Sequence, residues 1–230
     1  MNGLRDILLY LASWHAEGFA RREIAPFAVQ VDQEGRIPPD LNRKLAEAGF
    51  VGMLIPKQCG GTDVGMLNCV LAMEQLSYPV CQCLEALGNN IVGRALTLTG
   101  TEEQKRRYLP ALASGALMGS YSFTEPGTGS DPKSLVTTAR LDGDHWVLNG
   151  IKRFHSVGHL KGPAIIFAIV DGKQTTAFLV DKLGEGYRCS KPFELMMGRG
   201  LETVDTKVED VRVPKENVLV TVGGGFNILF

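Results

Sequence analysis

Residues 114–131 read Ser-Gly-Ala-Leu-Met-Gly-Ser-Tyr-Ser-Phe-Thr-Glu-Pro-Gly-Thr-Gly-Ser-Asp, and the chain changes character inside them. Before Leu117 the apolar residues recur at spacings of three and four; after it the spacing moves toward two. The expected fold class is therefore α+β: an all-helical N-terminal domain over residues 1–117, then an antiparallel β-barrel domain over 118–219.

Working back toward the N-terminus, Leu4, Ile7, Leu8, Leu11 and Trp14 form one stripe that Ile24, Phe27 and Val31 continue, with a kink expected at Pro26. Pro39 and Asp40 suit a first turn, Leu41, Leu45 and Ala48 give a stripe, and Gly49 suits the position just past the helix. Asp63 opens a third helix that Pro79 stops. Leu84, Leu87, Ile91, Ala95 and Leu98 mark the apolar face of a fourth, ended by Gly100. Thr101 with Gln104 reads as a capping box, with Glu102 and Glu103 at the positive end of the helix dipole.

Working forward, strands are expected over Met118–Phe123, Leu135–Leu141, His145–Leu148, Ile151–Ser156, Ala164–Val170, Thr175–Val180, Gly186–Lys191 and Val204–Val211. Asp142-Gly143, Asn149-Gly150 and Asp171-Gly172 read as two-residue hairpin turns between them. Val213-Pro214 ends the run. Residues 220–230 read as a loop entering a helix.

Composition narrows the function classes. The 230 residues carry 24 basic against 25 acidic side chains and a formal charge of −1, with no basic cluster of the kind nucleic acid requires. No apolar stretch of about 20 residues is present to span a bilayer, and no secretory signal is evident. Five cysteines are an odd count, Cys81 and Cys83 lack metal-site spacing, and His155 and His159 do not share a helical face. No metal site and a cytoplasmic location are the expectations.

Two segments carry candidate chemistry. In Tyr121–Asp131, Gly127 and Gly129 allow a ligand close to the backbone, while Thr124 and Ser130 supply hydroxyls. A polar turn between strands has the same composition. In Asn149–Ser156, a strand ends in Phe154, His155 and Ser156, an aromatic beside an imidazole and a hydroxyl. Such a group could flank a planar cofactor; Phe154 could equally be core.

The order of four pieces resembles the acyl-CoA dehydrogenase family. They are Phe50-Val-Gly-Met-Leu-Ile-Pro-Lys-Gln-Cys-Gly-Gly61; Thr101-Glu-Glu-Gln-Lys with Tyr108-Leu-Pro; Thr124-Glu-Pro-Gly-Thr-Gly-Ser-Asp131; and Glu209-Asp-Val-Arg-Val-Pro214 with Asn217-Val-Leu219 and Gly225-Phe226. The resemblance implies FAD as cofactor. It places Tyr121, Ser122, Phe123 and Thr124 at the flavin from the first loop, with Phe154, His155 and Ser156 against the ring. Ser130 would face both cofactor and substrate. It further implies α,β-dehydrogenation of an acyl-CoA, electron transfer to an electron-transfer flavoprotein or other acceptor, and a homo-oligomer at full length. No catalytic residue is assigned, because the resemblance puts the catalytic base beyond Phe230, in a C-terminal helical domain that residues 220–230 only begin. Oxygen-using relatives of the same fold, or a non-catalytic flavin- or acyl-CoA-binding chain, are the alternatives. His155, Ser156 and Val157 depart from the family's usual residues at those positions.

Overall fold

The computed structural model describes residues 13–79, 84–172 and 174–229. Leu4, Ile7, Leu8 and Leu11 of the first stripe, and Cys81 and Cys83, lie outside them. The helix α1, described over residues 13–19, widens to a π-turn over Ala20–Ile24, tightens to a 3-10 turn over Ala25–Phe27 that contains Pro26, and resumes as α2, Ala28–Glu34. A proline ring cannot sit under the preceding carbonyls of a regular helix, so the hydrogen-bond period changes around it. Then come α3 (Pro39–Glu47), α4 (Met66–Ser77), α5 (Leu84–Thr99) and α6 (Glu102–Ala113). Gly49 takes a left-handed conformation directly after α3, at φ 81°, and the Thr101–Gln104 capping box is formed in both directions.

Two expectations about the helices are corrected. Trp14 is 64% exposed and does not continue the buried stripe. The apolar stripe of α5 faces outward: Ile91 is 40% and Leu98 64% exposed. The inward face of α5 instead carries Asn89, Asn90, Val92 and Leu96. Asn90 donates to Phe50 O at 2.8 Å and accepts from Leu54 N at 2.8 Å. Asn89 donates to Leu112 O and Leu117 O and accepts from Gly119 N at 2.6 Å. Both side chains serve backbone groups at a helix end and in the segments that follow the helices, so polarity is buried here without orphaned groups.

The second half forms β1 (Ser120–Ser122), β2 (Thr138–Asp142), β3 (His145–Ser156), β4 (Pro163–Val170), β5 (Gln174–Asp181), β6 (Tyr187–Cys189), β7 (Thr203–Pro214) and β8 (Val218–Leu219), followed by the short α7 (Phe226–Leu229). The strand order is β6-β7-β3-β2-β4-β5-β8, with β1 added on β4. The expected antiparallel barrel is thus a mixed sheet, and it is not closed. Both β1 and β2 run parallel to β4, at Ser120–Ser122 against Ala164–Ile166 and at Thr138 against Ile169. They are two segments of one interrupted edge, and residues 123–137 leave the sheet between them. Hairpin turns report only antiparallel neighbours, so this parallel pairing had no signal in the turn residues.

Asp142-Gly143 and Asp171-Gly172 do join antiparallel strands, β2 to β3 and β4 to β5. Asn149-Gly150 does not: β3 is one continuous strand, and its pairing with β7 shifts register between Leu148 and Gly150. Glycine is needed there because a Cβ would fall on the side chain of Thr137.

Strands β4 and β5 are buried on both faces. Ile165 and Phe167 of β4 pack with Val92, Leu96, Leu109 and Leu112 of the helices, while Ile166 and Ala168 pack with Trp146, Phe178, Val208 and Val211. Helices and sheet therefore share one core. Substituting Asn89→Ala should leave Leu117 O and Gly119 N unpaired in that core and cost about 3 kcal/mol, read from the urea midpoint. Ile91→Ser should cost under about 0.5 kcal/mol; the reverse order would restore the outward stripe as the packing face.

Candidate functional site

The site is built where the loop after β1 meets an irregularity in β3. Between Lys152 and His155 the register with β7 shifts, so Arg153 and Phe154 together occupy the space opposite Asp205. The inward positions become Lys152 (0% exposed) and His155 (1%), three residues apart instead of two. Phe154 takes φ 55°, a left-handed backbone that costs a bulky residue about 1–2 kcal/mol. Its ring is turned outward, 56% exposed, against Phe193 at 5.6 Å between centroids.

The loop is tied to this bulge at successive residues. Arg153 N donates to Thr124 O at 2.8 Å, and Lys152 Nζ donates to Phe123 O at 3.1 Å and to Glu125 Oε1 at 2.7 Å. Arg153 itself is held by both carboxylate oxygens of Asp205. The Phe123 and Thr124 carbonyls are thereby tied to the two residues before Phe154, while the Phe123 ring packs inward on Phe167 at 5.1 Å between centroids. The half-buried Ser156 lies two residues further along the strand.

The remaining sequence-derived candidates fall elsewhere. Tyr121 packs its ring on Phe167 at 4.9 Å, between sheet and helices, and its hydroxyl is buried with no hydrogen-bond partner among the described residues. Burial also raises the Tyr121 pKa. Ser122 points into the interior and its Oγ is likewise unpartnered. His155, expected against the ring, is corrected: it faces inward, with Nε2 2.8 Å from Ser120 Oγ and Nδ1 2.9 Å from Thr206 Oγ1. The one-residue irregularity that turns Phe154 out turns His155 in. Ser130 stands exposed on the loop.

Three features of this face suit a ligand. The hydroxyls of Thr124, Ser130 and Ser156 make no hydrogen bond among the described residues. Gly127 and Gly129 have no positive φ, and a Cβ on either would meet nothing within 4 Å. The fold itself does not demand glycine at those two positions. Phe154 supplies an aromatic surface held outward. An aromatic plane, free hydroxyls and a side-chain-free stretch of loop fit a planar, hydrogen-bonding cofactor with a polar tail.

The family model described as "Acyl-CoA dehydrogenase, N-terminal domain" matches residues 13–116, and that described as "Acyl-CoA dehydrogenase, middle domain" matches residues 120–211. The chain belongs to the acyl-CoA dehydrogenase family. The 3-(aryl)acrylate reductase of Clostridium sporogenes is 36% identical over 217 residues, 92% of this chain and 58% of that protein. The caffeyl-CoA reductase-Etf complex subunit CarC of Acetobacterium woodii is 36% identical over 219 residues, 92% of this chain and 58% of that one. The crystal structure of an acyl-CoA dehydrogenase from Bacillus anthracis complexed with FAD superposes with a TM-score of 0.87 at 31% identity, covering 96% of this chain and 39% of that chain. The chain thus spans little more than half the length of the curated relatives it matches. The family uses FAD, and the face at Phe154 offers the features such a group needs.

Sequence reasoning missed Lys152, Arg153, Asp205 and Phe193. Lys152 gives no sign of its role in the sequence, since only the structure shows it buried on Glu125. Among the described residues no three His, Cys, Asp or Glu side chains are grouped to hold a metal ion, and no helix is long and apolar enough to cross a membrane.

Burial, reinforced by the positive charges of Lys182 and Lys152, lowers the His155 pKa from 6.5 to about 3. The unfolded chain binds this proton before the folded one does. The neutral ring's stability is therefore complete above pH 6.5 and is lost as pH falls from there toward 3. His155→Gln should remove a slope of up to about 1.4 kcal/mol per pH unit across that window. Parallel stability–pH curves for variant and wild type would show that the folded ring already carries the proton. At the glycines, Gly150→Ala should cost about 2 kcal/mol through the Thr137 collision, and Gly127→Ala under about 0.5 kcal/mol.

Proposed function

We propose that this chain supplies the flavin-facing part of an FAD-dependent oxidoreductase acting at the α,β-carbons of an acyl-CoA thioester. Written in the dehydrogenation direction, the α-proton goes to a base and the β-hydrogen leaves as hydride, giving a 2-enoyl-CoA. FAD, when bound, supplies the hydride acceptor. The observation that carries this reading is the conjunction at one bulge of an outward aromatic ring, unpaired hydroxyls and a glycine loop the fold does not require.

The geometry supports the following roles for the chain's own residues. Phe154 presents a flat apolar surface that excludes water from one side of a ring. Thr124 and Ser156 offer hydroxyls that can donate to a ring edge as negative charge arrives there. Phe123 fixes the start of the loop through its carbonyl, and Gly127, Gly129 and Ser130 let the loop follow a polar tail, with Ser130 also serving the acyl-CoA. Glu125 and Asp205 are both held by cations, Lys152 and Arg153, so neither is free to act as the base. We place the base, with the rest of the cofactor site, in a further helical domain that residues 220–230 begin, after a helical domain over 1–117 and a sheet domain over 118–219.

The outward stripe of α5 supports that placement. Ile91, Ala95 and Leu98 line an apolar groove of about 700 Å³ with Met66 and Val70 of α4, and Ile228 of α7 enters it. An exposed apolar face of this kind needs a cover, and the relatives carry the additional length to supply one. Electron transfer to an electron-transfer flavoprotein or another acceptor, homo-oligomerisation at full length and a cytoplasmic location with free thiols at Cys59, Cys69 and Cys189 complete the reading. Because relatives named as reductases match as well as those named as dehydrogenases, the proposal rests on the bond acted upon and not on the direction of flux.

Titration with FAD tests the site. The wild-type chain should bind added FAD reversibly and lose it on desalting, and Gly127→Val and Gly129→Val should each weaken binding at least tenfold with the melting temperature unchanged. Equal losses of stability and binding would make the loop a structural turn only. Anaerobic addition of saturated acyl-CoAs to the FAD-loaded chain should leave the flavin absorbance unbleached, since general-base assistance typically worth about 10²–10⁴-fold is missing. Rapid bleaching would place a base within residues 1–230.

A further inference from the structure

Lys152 and Glu125 form an ion pair in which both side chains are fully buried, with Nζ 2.7 Å from Oε1. Such a pair is a poor way to add stability, because removing two charges from water costs about as much as their attraction returns. Two apolar side chains of similar volume would fill the space as well. What apolar side chains could not supply is the set of directed bonds the pair makes to one loop. The Lys152 ammonium holds Phe123 O at the loop's start. The Glu125 carboxylate accepts from Val136 N at 2.7 Å and from Thr137 N at 3.0 Å at its end. Between them Glu125 and Thr128 exchange backbone hydrogen bonds, and Thr128 Oγ1 donates to Ser134 O at 2.7 Å. One buried pair therefore closes residues 123–137 at both ends, and its lysine is the immediate neighbour of Arg153, whose N–H holds Thr124.

We infer that Lys152 and Glu125 are positioning residues for the flavin-facing loop: they fix the Phe123 carbonyl, and so the Thr124 hydroxyl, against Phe154, without touching the cofactor themselves. The inference rests on the reading that this face takes FAD. Burial lowers the Lys152 pKa to about 8, against the pull of Glu125, and the bonds from Lys152, Thr137 and Val136 outweigh burial to hold Glu125 below the usual carboxylate range. The charged pair is thus retained in neutral solution.

The test separates positioning from stability with a double substitution. Lys152→Met and Glu125→Leu singly each leave a lone buried charge and should unfold the chain at a markedly lower temperature. The double variant should melt above both single variants because no lone charge is left, yet below wild type because Phe123 O and the two amides lose their partners. At a temperature where it is fully folded it should bind FAD at least tenfold more weakly, with a bound-flavin absorbance spectrum closer to that of free FAD. Its Val136 and Thr137 amides should exchange with solvent at least tenfold faster. Should the double variant fail to fold, Lys152→Met with Glu125→Gln serves in its place, since the glutamine oxygen still accepts from one of the two amides, which the carboxylate holds on separate oxygens, while the Phe123 tether is gone. A folded double variant that binds FAD as wild type does overturns the inference alone. A wild-type chain that binds no added FAD overturns the reading beneath it, and the inference with it.

Discussion

The position of every element around the site depends on two adjacent amides inside one helix. Asn89 and Asn90 are completely buried in α5, where neither contributes helix propensity and both require partners. Asn90 meets that requirement with the Phe50–Leu54 segment, and Asn89 with the end of α6 and the first residues of the sheet. The backbone of three non-repetitive segments is thereby fixed relative to one helix axis. Gly88 and Gly119 reinforce the joint, since a Cβ at Gly88 would meet Gly119 O at 2.6 Å. β1 enters the sheet from this fixed point, and the loop carrying Thr124 leaves it three residues later.

Much of this was legible in the residues. The change in apolar period at Leu117, the Thr101–Gln104 cap, Gly49 and the Asp142-Gly143 and Asp171-Gly172 turns depend on local physics, and local physics was enough. The failures share a different cause. The stripe Leu87–Ile91–Ala95–Leu98 has the right spacing for a buried face, but periodicity records which side of a helix is apolar and not what covers it. Asn149-Gly150 has the composition of a type I′ turn, yet its glycine answers to Thr137, a residue on another segment. The parallel pairing of β1 and β2 with β4 likewise depends on contacts distant in sequence. Tertiary constraints of this kind leave no local pattern.

The candidate site was legible in its segments and misread in its orientation. Phe154, Thr124 and Ser156 stand out in the sequence because the loop and the strand end are each chemically distinctive, and they are the residues proposed to face the flavin. The family resemblance puts His155 and Ser122 with them, but both side chains are buried. Ser122 alternates with Tyr121 in β1, and His155 is turned inward by the irregularity in β3. Lys152 escaped notice because a lysine in a strand is usually on the solvent side, and only the structure shows its partner, Glu125, arriving from 27 residues away.

The irregularity in β3 explains why the inside and outside of this site are coupled. In a regular strand Phe154 would share the inward face with Lys152, and His155 would point to solvent. The additional residue between Lys152 and His155 reverses both, at the cost of a left-handed backbone at Phe154. Strain of this kind persists only where surrounding contacts over-determine it. Here they do: Lys152 is anchored on Glu125 and Phe123 O, His155 on Ser120 and Thr206, and Arg153 on Asp205 and Thr124 O. Each anchor is polar and directed, so none can slide along the sheet as an apolar contact could. Loss of one would let the strand return to its regular alternation and carry the Phe154 ring inward. The buried polar groups beneath the site therefore determine what its exposed aromatic surface presents, although none of them lies on that surface.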